Sequence, residues 1–158
     1  MTHFSDNLKY LVKGIDDESD RGCVLIAAAF IEDQLEQLLR GRFCDSRHCQ
    51  KHSVNELFRL MGPLSSFSAK THMAYALTLI SKNDFTAINS IRKIRNDFAH
   101  KFEEASFEDR QTRDHVSNIA EFALTEKQAD ATKKDVKLMF VTSVGSLIAR
   151  LSVGYVSE

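Results

Sequence analysis

Apolar residues along this chain return every three or four positions, the spacing of helices and not of strands. Between Ser19 and Phe43 the stripe is Val24, Ala27, Ala28, Ile31, Leu35, Leu38 and Leu39. Leu25, Ile26 and Ala29 make the first half of that stretch apolar on every side, so it has to be surrounded by other elements. It is expected to form the centre of a bundle. Val136, Phe140, Val144, Leu147 and Leu151 place one apolar face on a final helix that covers this core. The same periodicity predicts helices over Asp6–Ile15, Ser19–Phe43, Val54–Met61, Ser68–Ile80, Asn83–Phe98 and Phe107–Leu124. Glu126–Val153 reads as one last helix with a polar, fraying start from Glu126 to Lys134.

Punctuation agrees with this pattern. One proline, Pro63, and 6 glycines leave few breaks for a chain of short strands. Helix-start boxes recur at Ser53…Glu56, Ser81…Asp84, Ser106…Asp109 and Thr125…Gln128. In such a box the hydroxyl accepts from the third backbone N–H while the acidic or amide side chain reaches back. The expected fold is all-α, a single-domain helical bundle of about six or seven helices spanning residues 1–158.

Composition narrows the function. The 158 residues carry 21 Lys+Arg against 22 Asp+Glu, a formal charge of −1, with 43% hydrophobic and 27% charged residues. A chain of this length buries roughly two-thirds of its unfolded surface, enough for one core. Near neutrality argues against coating nucleic acid by bulk charge, which shows as a basic excess, and leaves room only for a local basic patch. The longest unbroken apolar run, Cys23 to Ile31, falls short of the ~20 residues of a spanning helix. Met1 to Tyr10 already carries Asp6 and Lys9 and lacks the apolar segment of a secretion signal. With 3 cysteines, an odd number, the expectation is free thiols in a reducing cytoplasm and no membrane.

The most informative stretch runs from Ser90 to His100. On a helix, Phe85, Ile88, Ile91, Phe98 and Ala99 share a side, with Arg95 between Ile88 and Ile91 and Arg92 in register with Phe85. A guanidinium on an apolar face needs a partner, and Asp20 and Glu32 beside the central stripe are the candidates for Arg95. Two readings follow: a buried ion pair that locks two helices, or an anion grip made by Arg92, Arg95 and Asn96.

Arg95-Asn96-x-x-x-His100 also resembles the Arg-x4-His motif of the HEPN group of helical nucleases. That resemblance implies a metal-independent ribonuclease in which His100 acts as acid or base and Arg95 holds phosphorane charge. In a straight helix the two side chains point about 140° apart, so cooperation needs a helix break near Phe98 or a second subunit. Asn96 and His100, four apart, share a face. Cys44, His48, Cys49 and His52 form a second cluster of metal-ligand types. Zinc sites usually separate two ligand pairs in sequence, whereas these four crowd one interhelical link, which favours a polar connector with exposed thiols and no metal. Glycine-rich phosphate loops, Gly-x-Ser-x-Gly and His-Glu-x-x-His are absent from the sequence. A helix-turn-helix is not evident either, since the helix after Ser81-Lys82-Asn83 turns its apolar face to the core.

Longer blocks carry a further resemblance. Gly62-Pro63-Leu64-Ser65-Ser66-Phe67-Ser68-Ala69-Lys70, Ala74-Tyr75-Ala76-Leu77, Leu79-Ile80-Ser81, Ile91 through His100 and Ser106-Phe107 are similar to the MltR (mannitol operon repressor) family. Glu18-Ser19-Asp20-Arg21-Gly22 and the Ala-rich helix from Val24 to Leu39 resemble its N-terminal half, so the likeness covers about residues 15–153. The Cys44–His52 link falls outside it. The resemblance implies an all-helical, repressor-type transcriptional regulator of sugar-alcohol uptake genes. With neutral charge and no catalytic set, the expected mode is a binding module working through a protein partner and a homodimer, without cofactor. Direct DNA or RNA contact would need a groove lined by Arg92, Lys93 and Arg95. Asp20, Arg21, Arg92, Arg95, Asn96 and His100 are the expected binding or structural polar network. The ribonuclease is the alternative.

Overall fold

Ser19 starts the longest helix: its hydroxyl accepts from Gly22 N at 3.1 Å, and Asp20 adds negative charge in the first turn, where the helix dipole favours it. The computed structural model describes residues 15, 18–44, 48–100 and 105–153. Among them the chain forms helices α1 (Asp20–Phe43), α2 (Lys51–Phe58), α3 (Phe67–Ala76), α4 (Lys82–His100), α5 (Arg110–Ala123), α6 (Glu126–Thr132) and α7 (Val136–Val153), and no strand. The all-α expectation holds. The helix expected over Asp6–Ile15 lies outside the described residues except for Ile15, which is buried.

α1 is the central element. Val24, Ala27, Ile31, Leu35 and Leu39 have no exposed surface, and α3, α4 and α7 pack around them. α5 closes the bundle against α4 and α7. Each fully buried Val, Leu or Ile contributes roughly 1.5–3 kcal/mol relative to exposure, so this single cluster dominates the stability. By length and composition α7 is apolar enough to cross a membrane. In the bundle, however, its Phe140, Val144, Leu147 and Ile148 are buried against other helices.

Several helix ends differ from the sequence reading, each for a local reason. α2 begins three residues before the expected Val54, at Lys51, and stops at Phe58 because Arg59 is extended and Met61 adopts a φ of 69°. Gly62 completes that turn. A Cβ there would meet Glu56 O at 2.5 Å and Leu57 O at 2.6 Å, so only glycine fits against this backbone. α3 stops at Ala76 because Thr78 takes a φ of 57°. The Ser106…Asp109 box closes a turn, with Asp109 N on Ser106 O at 3.2 Å, and α5 starts only after it. The single last helix is in fact two. Asp135 N bonds Thr132 O at 3.0 Å, and the Asp135 carboxylate accepts from Leu138 N at 2.9 Å, which begins α7 afresh.

Candidate functional site

The buried face of α4 is Asp84, Ala87, Ile88, Ser90, Ile91, Ile94 and Phe98. Ala87 and Ile94 rotate this face by roughly 70° from the stripe read through Phe85 and Ala99. Ala99 is exposed and Phe85 only half-buried. Arg95 therefore falls on the flank. It is exposed, and its guanidinium donates to the neighbouring Asn96 Oδ1 at 3.1 Å. The expected buried pair between Arg95 and Asp20 or Glu32 does not form.

Both proposed partners are engaged elsewhere. Asp20 Oδ2 accepts from Ser106 Oγ at 3.1 Å and from Phe107 N at 3.0 Å. One carboxylate thus ties the start of α1 to the turn that follows α4. Phe107 is buried beside it, its ring 5.9 Å from Phe98 and 5.4 Å from Phe140. Arg21, next to Asp20, is half-buried. Glu32 pairs with Lys70, as described below.

Arg92 is half-buried and donates to Asn89 Oδ1 one turn back. Burial lowers its pKa from the ordinary arginine value. Lys93, Arg95, Asn96 and His100 are all exposed on the same helix, the first, third and fourth on its outer side and Arg95 on the flank. α4 is helical through His100, so Phe98 marks no break, and within one chain Arg95 and His100 keep their divergent directions. Two turns before Arg92 on the same side of α4, Tyr75 stacks on Phe85 at 4.5 Å and His72 meets that ring edge-on at 5.1 Å.

Two ion-pair groups, each built on one buried charge, are not anticipated by the sequence. Lys70 Nζ lies 3.0 Å from both Glu32 Oε1 and Glu36 Oε2. Arg40 extends the cluster to Glu36 at 2.8 Å and to Asn55 at 2.9 Å. The signal was present: Phe67, Lys70, Thr71 and Ala74 form the buried stripe of α3, and a lysine stands within it. In the second pair Arg150 Nε donates to the buried Asp84 Oδ1 at 2.8 Å and Arg150 Nη1 to Ala123 O at 3.1 Å.

No group of three or more His, Cys, Asp or Glu side chains suited to a metal occurs among the described residues. Cys44 and Cys49 do meet, sulfur to sulfur, while His48 and His52 are exposed. On the opposite end of α1 from Asp20, an open groove of about 390 Å³ lies between Leu38, Gly41, Arg42, Leu79 and Leu151.

A family model described as mannitol repressor (MtlR) matches residues 12–147. The chain belongs to the mannitol repressor family. The matched stretch includes Asp20, Lys70, the whole of α4 and the Cys44–Cys49 link. Solved structures share this fold. A chain of the MtlR-HPr complex from Escherichia coli is similar with a TM-score of 0.75 and 17% identity, covering 96% of this chain and 99% of that one. YggD from Shigella flexneri 2a str. 2457T, described as a possible transcriptional regulator, gives 0.79 and 19%, covering 91% and 96%. No curated protein matches the chain. Nothing in these likenesses supports a HEPN-type ribonuclease built on Arg95, Asn96 and His100.

Proposed function

We propose that this mannitol repressor family member is a repressor-type transcriptional regulator that works in the cytoplasm, as a homodimer, by contact with another protein. The observation that carries this reading is the solvent-facing side of α4. Arg92, Lys93, Arg95 and His100 line it, while Ile88, Ile91, Ile94 and Phe98 anchor the same helix in the core. Cationic side chains on a rigid helix, Arg95 exposed and Arg92 half-buried, suit carboxylates on a partner surface. A recognition helix sends its N-terminal residues to base edges, but the first turn of α4 is held to α7 through Asp84 and Arg150. With a net charge of −1, protein contact is favoured over nucleic acid.

HPr is the first partner to test, because the E. coli structure of this fold is a complex with it. Calorimetry of the purified protein with HPr from the same cell should show binding without nucleic acid. Arg95→Ala with Arg92→Ala should weaken it by about tenfold or more, and added salt should weaken it further. Failure to bind HPr, together with tight binding of operator DNA by the purified protein, would replace this reading with direct DNA recognition.

A further inference from the structure

The link between α1 and α2 holds a pair of cysteines that the regulatory reading does not use. Cys44 is the C-cap of α1, with its N–H on Arg40 O at 3.0 Å, and Cys49 stands immediately before Gln50, the N-cap of α2. Their sulfur atoms are 2.7 Å apart, with the Cys49 thiol donating to Cys44 Sγ. Cys44 is exposed and Cys49 partly so. Cys23 differs: it is fully buried in α1, and burial pushes its pKa up to about 11. Redox-active thiols sit in accessible positions close to a resolving cysteine, whereas buried thiols are inert. The chain presents one pair of the first kind and a single thiol of the second.

We propose that Cys44 and Cys49 form a reversible disulfide, an oxidative modification site between α1 and α2, with a small-molecule disulfide such as oxidised glutathione as the oxidant. Cys44 is the attacking thiol, being the more exposed. Its thiolate attacks one sulfur of the oxidant, forming a mixed disulfide and expelling one thiolate of the small molecule. The Cys49 thiolate then attacks Cys44 Sγ, the mixed disulfide breaks, and the second small-molecule thiolate leaves. The two protons released by the cysteines end on the two expelled thiolates. The pair is oxidised by two electrons and the oxidant reduced by the same two.

The bond would act on α2. That helix is held to α1 by Arg40, which donates to Asn55 Oδ1 at 2.9 Å and lies 4.3 Å from the Phe58 ring centre, and by Phe43 against Phe58 at 6.2 Å. These contacts lie in its later part, and the disulfide would fix its beginning. α2 leads into the turn carrying Leu60 and Met61, 89% and 91% exposed, so oxidation would restrain the base of that apolar projection.

The test is a redox titration of the folded protein in mixtures of reduced and oxidised glutathione. Samples are alkylated with N-ethylmaleimide near neutral pH, with and without denaturant, and read by intact mass before and after alkylation and by peptide mapping. In the reduced protein Cys44 and Cys49 alkylate without denaturant and Cys23 only with it. After oxidation both reactive thiols disappear, the mass falls by two hydrogens, and a cross-linked Cys44–Cys49 peptide appears. Cys49→Ser should stall as a glutathione adduct on Cys44, while Cys23→Ser should still form the disulfide; circular dichroism confirms that each variant is folded. Stable glutathione adducts on the oxidised wild type without the internal bond, or cross-links only between chains, would overturn the proposal.

Discussion

Lys70 Nζ reaches Glu32 Oε1 at 3.0 Å across 38 positions of sequence, and this contact pins α3 to α1. The side chain is 7% exposed, and Glu36 lies at the same distance on its other side. Two carboxylates one turn apart on α1 would repel in a low-dielectric setting, and the ammonium between them cancels that repulsion. Arg40 then holds the outer oxygen of Glu36 and carries the network to α2.

Lys70→Met keeps most of the buried volume but leaves Glu32 and Glu36 facing each other without the cation. Removing one partner of a buried pair costs about 3–5 kcal/mol, and the partial exposure of both carboxylates reduces this to roughly 2–3 kcal/mol. Urea unfolding should show the midpoint fall with an unchanged slope. A loss below ~0.5 kcal/mol would mean that the network is a surface decoration.

The same cluster sets a pH dependence. Burial alone would raise the Glu36 pKa, but hydrogen bonds and charges from Lys70 and Arg40 outweigh it and hold the carboxyl below its ordinary value of 4.5. Its contribution is therefore present above pH 4.5 and is lost as pH falls through the lowered value. For Lys70, burial lowers the pKa, yet Glu32 and Glu36 together raise it above 10.5. That contribution is present below pH 10.5 and is lost as pH rises through the raised value. Stability measured against pH should be sustained between these limits. In Glu36→Gln the acid limb should flatten relative to wild type.

Asp20 yields a prediction about local order. Its Oδ2 accepts two hydrogen bonds from the Ser106–Phe107 turn, and charged hydrogen bonds contribute about 1.5–3 kcal/mol each before mutual non-additivity. Asp20→Ala should cost roughly 2–3 kcal/mol in all. It should also speed hydrogen exchange at the Phe107 amide more than at amides in the middle of α1. Equal acceleration at both places would show that the carboxylate acts only through global stability.

The bundle was legible in the sequence because its helices are defined by long apolar stripes. The apolar stripe from Val24 through Leu39 places the helix over Ser19 to Phe43, within one residue of the observed Asp20–Phe43. The polar site was harder to read. Arg95 was assigned to the core because Ile88 and Ile91 flank it on a helical wheel, yet Ile94 and Phe98 turn the helix enough to leave it in solvent. Lys70 and Asp84, the buried charged residues among those described, stand within apolar stripes of their own helices. Their partners Glu32, Glu36 and Arg150 lie on other helices, so each pairing depends on which faces meet and not on spacing along the chain. The split between α6 and α7 was also hidden, since Lys133 to Asp135 contains neither proline nor glycine.

The end of α3 offers a stabilising change. Leu79 N bonds Ala74 O at 2.9 Å and Thr78 N bonds Tyr75 O at 2.9 Å, the pattern of a Schellman C-cap. Its left-handed position is occupied by Thr78, at φ 57°, where glycine is the usual residue. A left-handed conformation costs an L-residue roughly 1–2 kcal/mol, and a β-branched side chain belongs at the upper end. Thr78→Gly relieves that strain, while the greater freedom of glycine in the unfolded chain returns part of the gain. The hydroxyl bond from Thr78 to Leu77 O is also lost, but Thr78 is exposed and water replaces it. The expected net stabilisation is about 0.5–1 kcal/mol, read as a higher urea midpoint at constant slope. Thr78→Ala keeps a Cβ in the left-handed region and should gain less than the glycine variant. If alanine matched or exceeded glycine, the turn would owe nothing to backbone strain.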